Sequence, residues 1–288
     1  MASDTSQIAI LFPGQGSQTS GMAAVTAAQR PDLLEQAREE LGADPFEQIG
    51  EGTHFAQPAL YCASLAHWKQ AGSPTGAMLA GHSLGELAAL VAGGALGAEQ
   101  GLRLAVVRGR LMEEAAQEAP GGMLASLGGE EPTVREIAGR FGLTVANENA
   151  PGQLVLSGPS EGLGEARKEL RASGAKAIRL PVAGAFHSPL MSGAAANFRA
   201  ALDQVDFQAP SLPVYSSTAA APFEDIPARL AAALTEPVIW CQTLGRMQEA
   251  GAGTFLESGP GDVLTGLVRR TLPEAEARSL AETEAVGA

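Results

Sequence analysis

Gly81-His82-Ser83-Leu84-Gly85 decides the reading of this chain, because of what flanks it. Before it, Thr75-Gly76-Ala77-Met78-Leu79-Ala80 is a short apolar run of the length of a buried strand. After it, Leu84, Leu87, Ala88 and Val91 recur at i, i+3, i+4 and i+7, the spacing of one buried helix face. Strand, tight turn and helix form the setting in which Gly-x-Ser-x-Gly becomes a nucleophile elbow. Flanking glycines let strand and helix approach without a Cβ clash. The serine hydroxyl is then held at a helix N-terminus, where backbone N–H groups favour developing negative charge. In a chain with 35 glycines the pentapeptide alone would equally suit an ordinary turn, and the flanks favour a catalytic serine.

The 288 residues suffice for one large α/β domain with a smaller one attached, and 45% apolar residues supply a sizeable core. A formal charge of −13 argues against a nucleic-acid partner, which calls for a basic face. Cys62 and Cys241 are too few for a disulfide framework or a zinc site, and fit a reducing cytosol. Met1 to Gln7 carries an acid and no base, unlike a secretion signal. The longest apolar run, Leu87 to Ala98, falls short of the roughly 20 residues that span a bilayer. The expectation is a soluble cytoplasmic protein without a metal, a membrane or a nucleic acid.

Ile8 to Phe12 reads as a buried strand ending at Pro13-Gly14-Gln15-Gly16-Ser17-Gln18. Thr19 stands where a dinucleotide fold wants a third glycine, and the Gly-Lys-Ser/Thr of a P-loop is missing. Its amides are free to serve another purpose at the end of a strand. Met22 to Leu41 and Gln57 to Gln70 are helical in pattern, the latter with Pro58 in its first turn, and Ala98 to Glu118 gives another helix. Then Met123 to Leu127, Leu143 to Asn147, Leu154 to Ser157 and Ala177 to Val182 read as strands, with helices at Pro132 to Arg140 and Glu161 to Ser173. That β-α-β-β-α-β order is ferredoxin-like. The expected fold is α/β: a large α/β-hydrolase-like domain with a parallel sheet, residues 1–119 and 185–288, and an inserted small ferredoxin-like domain, 120–184. Helices are expected at Leu190 to Leu202, Ile226 to Leu234 and Val263 to Leu272, and strands at Leu212 to Ser216 and Thr254 to Glu257. Pro273 to Ala288 is expected to fray.

A serine nucleophile needs a base, and the chain has four histidines. His54 and His67 sit in helical patterns without polar company and read as structural. His82 adjoins the serine on a turn that points its side chain elsewhere, which suits orientation of the elbow. His187, in a strand-to-helix loop, is the candidate base by elimination, with His82 next.

Seven segments, in order, carry a resemblance: FPGQGSQ from Phe12, GHSLGE from Gly81, RGRLM from Arg108, NENAPGQLVLSGP from Asn147, GAFHSPLM from Gly184, EPVIW from Glu236 and SGPGDVLTGL from Ser258. Together they are similar to the malonyl-CoA:acyl carrier protein transacylase family, from near Ile8 to Arg270. The resemblance implies that Ser83 attacks the thioester of malonyl-CoA while His187 takes its proton, with the amides of Gln15 and Leu84 as oxyanion hole. The phosphopantetheine thiol of an acyl carrier protein then takes the malonyl group, with no cofactor. It further implies that Arg108 pairs with the malonyl carboxylate, that Phe186 narrows the pocket beside the α-carbon, and that Gln57 lies near the site. Ile239 departs from a Gln of many relatives, and Glu236 from an Asn. The family contact there is to a main-chain carbonyl, which Ile239 can supply to His187.

An α/β-hydrolase esterase shares the elbow, but its acid usually lies between serine and a histidine near the C-terminus. An editing hydrolase that strips acyl groups from carrier proteins, and a catalytically inert carrier-binding module, are the other readings. GAFHS is as similar to acyltransferases of polyketide assembly as to those of fatty-acid synthesis.

Overall fold

The computed structural model describes residues 7–182 and 184–281. β1 (Gln7–Phe12) leads to α1 (Met22–Gln29), α2 (Pro31–Leu41) and α3 (Thr53–Gln70). β2 (Met78–Gly81), α4 (Gly85–Ala92) and α5 (Ala98–Glu118) follow. The next segment runs β3 (Gly121–Leu127), α6 (Glu131–Arg140), β4 (Thr144–Ala150), β5 (Gln153–Pro159), α7 (Ser160–Ala172) and β6 (Lys176–Arg179). A 3₁₀ turn at Pro189–Met191 opens α8 (Ser192–Leu202), then β7 (Val214–Ser216), β8 (Ala221–Pro222) and α9 (Ile226–Ala232). The chain closes with α10 (Trp240–Glu249), β9 (Ala252–Glu257), α11 (Val263–Thr271) and β10 (Glu276–Ser279).

One sheet has the order β10-β9-β1-β2-β7-β8, parallel throughout except for β8, which pairs antiparallel with β7. Its central strands β1 and β2 are buried and apolar, as strands covered on both faces must be. The second sheet, β4-β5-β3-β6, is antiparallel and built on the β-α-β-β-α-β order. Side chains alternate across it with period two. Leu124, Leu154 and Leu156 pack with Ile137, Leu163 and Leu170 of α6 and α7. Met123, Ala125 and Val155 join the same buried cluster as Ile10, Phe12, Leu79 and Leu87 of the larger layer.

Several expectations need correction. The helix expected over Met22 to Leu41 is two helices, because Arg30 precedes a proline and is pushed out of the helical region, to φ −134°, ψ 57°. Pro31 then sits at the first position of α2. α3 starts at Thr53, not Gln57, so Pro58 is interior. The extra turn is held by tertiary bonds, as Glu113 accepts the backbone N–H of His54 at 3.0 Å and also meets its ring nitrogen. His54 therefore has the polar company the sequence did not announce. Residues 276–279 form an edge strand on β9 where fraying was expected, while 282–288 lie outside the described residues, as do 1–6. α10 was not anticipated, though Trp240, Thr243, Leu244 and Met247 form its buried face.

Candidate active site

The elbow forms because two glycines permit it. A Cβ on Gly81 would overlap the main chain of Gly85 and Glu86, and one on Gly85 would overlap the carbonyl of Phe12. Ser83, between them, is held at φ +52°, in the left-handed region that side chains other than glycine seldom adopt. Its Oγ lies 2.8 Å from His187 Nε2. His187 also has positive φ, +55°. Its loop is closed by Ser188, whose hydroxyl donates to the carbonyl of Ala185 at 2.6 Å. Phe186 is buried, its ring against Gly184, where a Cβ would strike it.

His187 Nδ1 lies 2.8 Å from the carbonyl of Ala233 and 3.2 Å from that of Glu236. Those contacts fix the Nδ1–H tautomer and leave Nε2 as the acceptor facing Ser83. The carbonyl expected from Ile239 is engaged elsewhere, accepting from Thr243. The EPVIW segment acts instead as a strut. Val238 pairs in parallel with Asn147 of β4, and the Ile239 N–H donates to Ser217. Burial, together with the neighbouring Arg108 charge, pushes the His187 imidazole down to about 3, so it is neutral at ordinary pH, with Nε2 unprotonated.

Arg108 is buried on α5. Its Nη2 donates to Ser83 Oγ at 3.1 Å and its Nη1 to Gln57 Oε1 at 2.7 Å. Gly109 lets α5 come this close to α3, since a Cβ there would sit 2.9 Å from the Thr53 carbonyl. Gln57 in turn donates to Thr53, whose hydroxyl donates to Gln15 Oε1 at 2.8 Å. The candidate residues Ser83, His187, Arg108, Gln57 and Gln15 are thus joined by hydrogen bonds. The N–H groups of Gln15 and Leu84 have no protein acceptor among the described residues. Ile239 stands outside this network.

Four groups escaped the sequence reading. Glu86, buried in α4, accepts from Ser217 N at 2.7 Å, Ser217 Oγ at 2.9 Å and Ser216 Oγ at 3.2 Å. Burial raises its carboxyl to about 7, against the pull of Ser217 and Arg108. Its readable signal was a carboxylate one residue past the elbow glycine. Asn149 fixes His82 through a 2.9 Å contact to Nε2, while the His82 ring meets Trp240 edge-on. Thr53 and the Ala233 carbonyl had no local signal, because only the tertiary fold brings them in. Chemically, the arrangement offers an activated hydroxyl, a neutral base and a guanidinium able to meet an anionic group beside the reacting atom.

Residues 32–287 match the acyl transferase domain family. A malonyl CoA-acyl carrier protein transacylase of Salmonella typhimurium is 37% identical over 307 residues, covering 98% of each chain. The polyketide biosynthesis protein ThaF of Burkholderia thailandensis is 40% identical over 285 residues, which is 92% of this chain but 24% of that longer relative. The crystal structure of the malonyl-CoA:acyl carrier protein transacylase of Xanthomonas oryzae pv. oryzae has a TM-score of 0.90 at 35% identity, covering 98% of this chain and 97% of that one. A malonyl-transacylase in complex with a type II PKS acyl-carrier protein gives a TM-score of 0.87 at 34% identity, covering 95% and 96%. Similarity of that extent, on a chain whose serine, histidine and arginine meet at one point, means that this protein belongs to the malonyl-CoA:acyl carrier protein transacylase family.

Proposed function

We propose that the protein moves a malonyl group from malonyl-CoA to the phosphopantetheine thiol of an acyl carrier protein, for fatty-acid or polyketide biosynthesis. The observation that carries this reading is the Arg108 guanidinium 3.1 Å from Ser83 Oγ, on a nucleophile already 2.8 Å from His187 Nε2. In malonyl-CoA a single methylene separates the thioester carbonyl from a free carboxylate. A nucleophile and a buried cation side by side suit that pair of groups.

Ser83 Oγ attacks the thioester carbonyl as its proton passes to His187 Nε2. The oxyanion is received by the amides of Gln15 and Leu84, the latter at the N-terminus of α4. The carbon–sulfur bond breaks, the CoA thiolate takes the proton from His187, and a malonyl-serine ester remains. The carrier thiol then gives its proton to His187 and attacks the ester, and Ser83 Oγ recovers the proton as it leaves. Each half-reaction is redox-neutral and the imidazole moves the one proton, so the cycle needs neither metal nor cofactor. Phe186 restricts the space beside the α-carbon. We read residues 1–119 and 185–288 as the catalytic domain, with 120–184 as an inserted small domain, in a cytoplasmic enzyme.

Intact-mass analysis after exposure to mixed acyl-CoAs tests the reading. A malonyl adduct that holo-carrier protein discharges is expected. An adduct of another acyl group, or discharge to water at the same rate without carrier, would overturn it.

A further inference from the structure

We propose that Thr53 is a positioning residue that couples recognition of the acyl carboxylate to the oxyanion side of the site. The inference rests on the transacylase reading above. Thr53 Oγ1 accepts from Gln57 Nε2 at 3.1 Å and donates to Gln15 Oε1 at 2.8 Å. Gln57 Oε1 accepts from Arg108 Nη1 at 2.7 Å.

The polarity of this chain starts at Arg108. A guanidinium only donates, so it fixes the Gln57 amide with its oxygen toward Arg108 and its NH₂ toward Thr53. Thr53 accepts the Gln57 NH₂ on its oxygen, and its one hydroxyl hydrogen is directed to Gln15 Oε1. Gln57 is 0% exposed, Arg108 4% and Thr53 8%, so water is a poor substitute for the links from Arg108 to Gln57 and from Gln57 to Thr53. The Thr53 backbone is itself fixed. Glu113 accepts the N–H of the next residue, His54, and Gly109 admits the Thr53 carbonyl against α5. A β-branched side chain on a fixed backbone has few rotamers to choose from.

A carboxylate arriving at Arg108 therefore meets a guanidinium whose orientation depends, through Gln57 and Thr53, on the residue that carries a proposed oxyanion donor. Malonyl transfer uses both ends of the link, whereas acetyl transfer uses only the Gln15 end. Removing the hydroxyl should harm malonyl more than acetyl.

The experiment compares kcat and KM for covalent loading from malonyl-CoA and acetyl-CoA on wild type, Thr53→Val and Thr53→Ser. Thr53→Val is expected to lose about tenfold to a hundredfold in malonyl kcat/KM, the range for leaving a buried polar partner unsatisfied. The malonyl-to-acetyl ratio should fall at least about fivefold, and Thr53→Ser should restore it. Gln15→Met, which cuts the same link at its half-buried end and keeps the amide, should shift the ratio in the same direction and decides the matter if Thr53→Val does not fold. A purely structural role would lower both substrates by one factor, and an unchanged ratio in Thr53→Val or Gln15→Met overturns the coupling. A wild-type enzyme that takes no malonyl at all would instead overturn the transacylase reading on which it rests.

Discussion

Ser83 has two polar neighbours with different uses. His187 Nε2 lies 2.8 Å from Oγ, where the proposed mechanism needs a base, and the buried Arg108 Nη2 lies 3.1 Å from the same oxygen, where it needs a cation for the acyl carboxylate. Removing the guanidinium leaves an incoming carboxylate buried and unpaired, a loss of about 2–5 kcal/mol, or about 30- to several-thousand-fold in malonyl kcat/KM. Acetyl-CoA has no carboxylate, so Arg108→Ala should invert the preference while Ser83 stays reactive. Equal losses for both thioesters would assign Arg108 to folding or to CoA. Acid–base behaviour separates two further groups. His187, lowered to about 3 by burial and by Arg108, stays neutral as pH falls past 6.5, and the stability it contributes is present above 6.5 and lost on acidification toward 3. Glu86 runs the other way: raised by burial from 4.5 to about 7, it contributes stability below 4.5 that is gone once pH passes 7. In malonyl kcat/KM measured from about pH 5 to 8, an inflection near 7 should vanish in Glu86→Gln. An inflection at 6.5 that survives in Glu86→Gln would mean that His187 titrates at its ordinary value.

Among the helices and strands, glycine decides where backbones may touch. Gly85→Ala forces a Cβ into the Phe12 carbonyl, and a cost on the order of 3 kcal/mol or more is expected. Gly164 lies exposed within α7 with nothing near its absent Cβ, so Gly164→Ala should stabilise by about 0.5–1 kcal/mol. Urea unfolding of the two variants checks both signs, and a stable Gly85→Ala would remove the steric account of the elbow. The elbow was legible because its signal is local: an apolar strand, a glycine pair and a helical stripe within seventeen residues, Thr75 to Val91. The small sheet was legible for the same reason, since β3 to β6 follow one another in the chain. The break at Arg30 is equally local, written in Pro31, but the apolar pattern runs on across it and masks it. What no window of sequence holds is the close approach of α5 to α3 at Gly109, or the Ala233 carbonyl on His187, 46 residues away. Ile239 misled because a motif preserves spacing but does not say which carbonyl of the segment turns toward the imidazole.

At the scale of the molecule the charge is −13, so attraction of an acidic carrier protein must come from a local basic face. Most surface cations are already neutralised: Arg135 by Glu131 and Glu148, Arg140 by Glu136 and Glu169, Lys168 by Glu165, Arg246 by Glu249. Arg269 and Arg270, exposed in the last turn of α11, differ. Arg269 donates to the carbonyl of Ala277 and Arg270 to the side chain of Gln153 on β5, and neither pairs with a carboxylate among the described residues. The Gln153 contact places this charge where the two sheet layers meet. Arg167, Arg171, Lys176 and Arg179 add exposed charge on α7 and β6. Opposite charges at a docking rim act on the encounter rate and lose force with salt. Reversing Arg269 and Arg270 to Glu should raise KM for the carrier protein and flatten its salt dependence. Malonyl loading from CoA, which needs no carrier, should keep its kcat/KM. An unmoved carrier KM would put the docking face elsewhere, and Glu at Arg167 and Arg171 of α7 is then the next pair to measure.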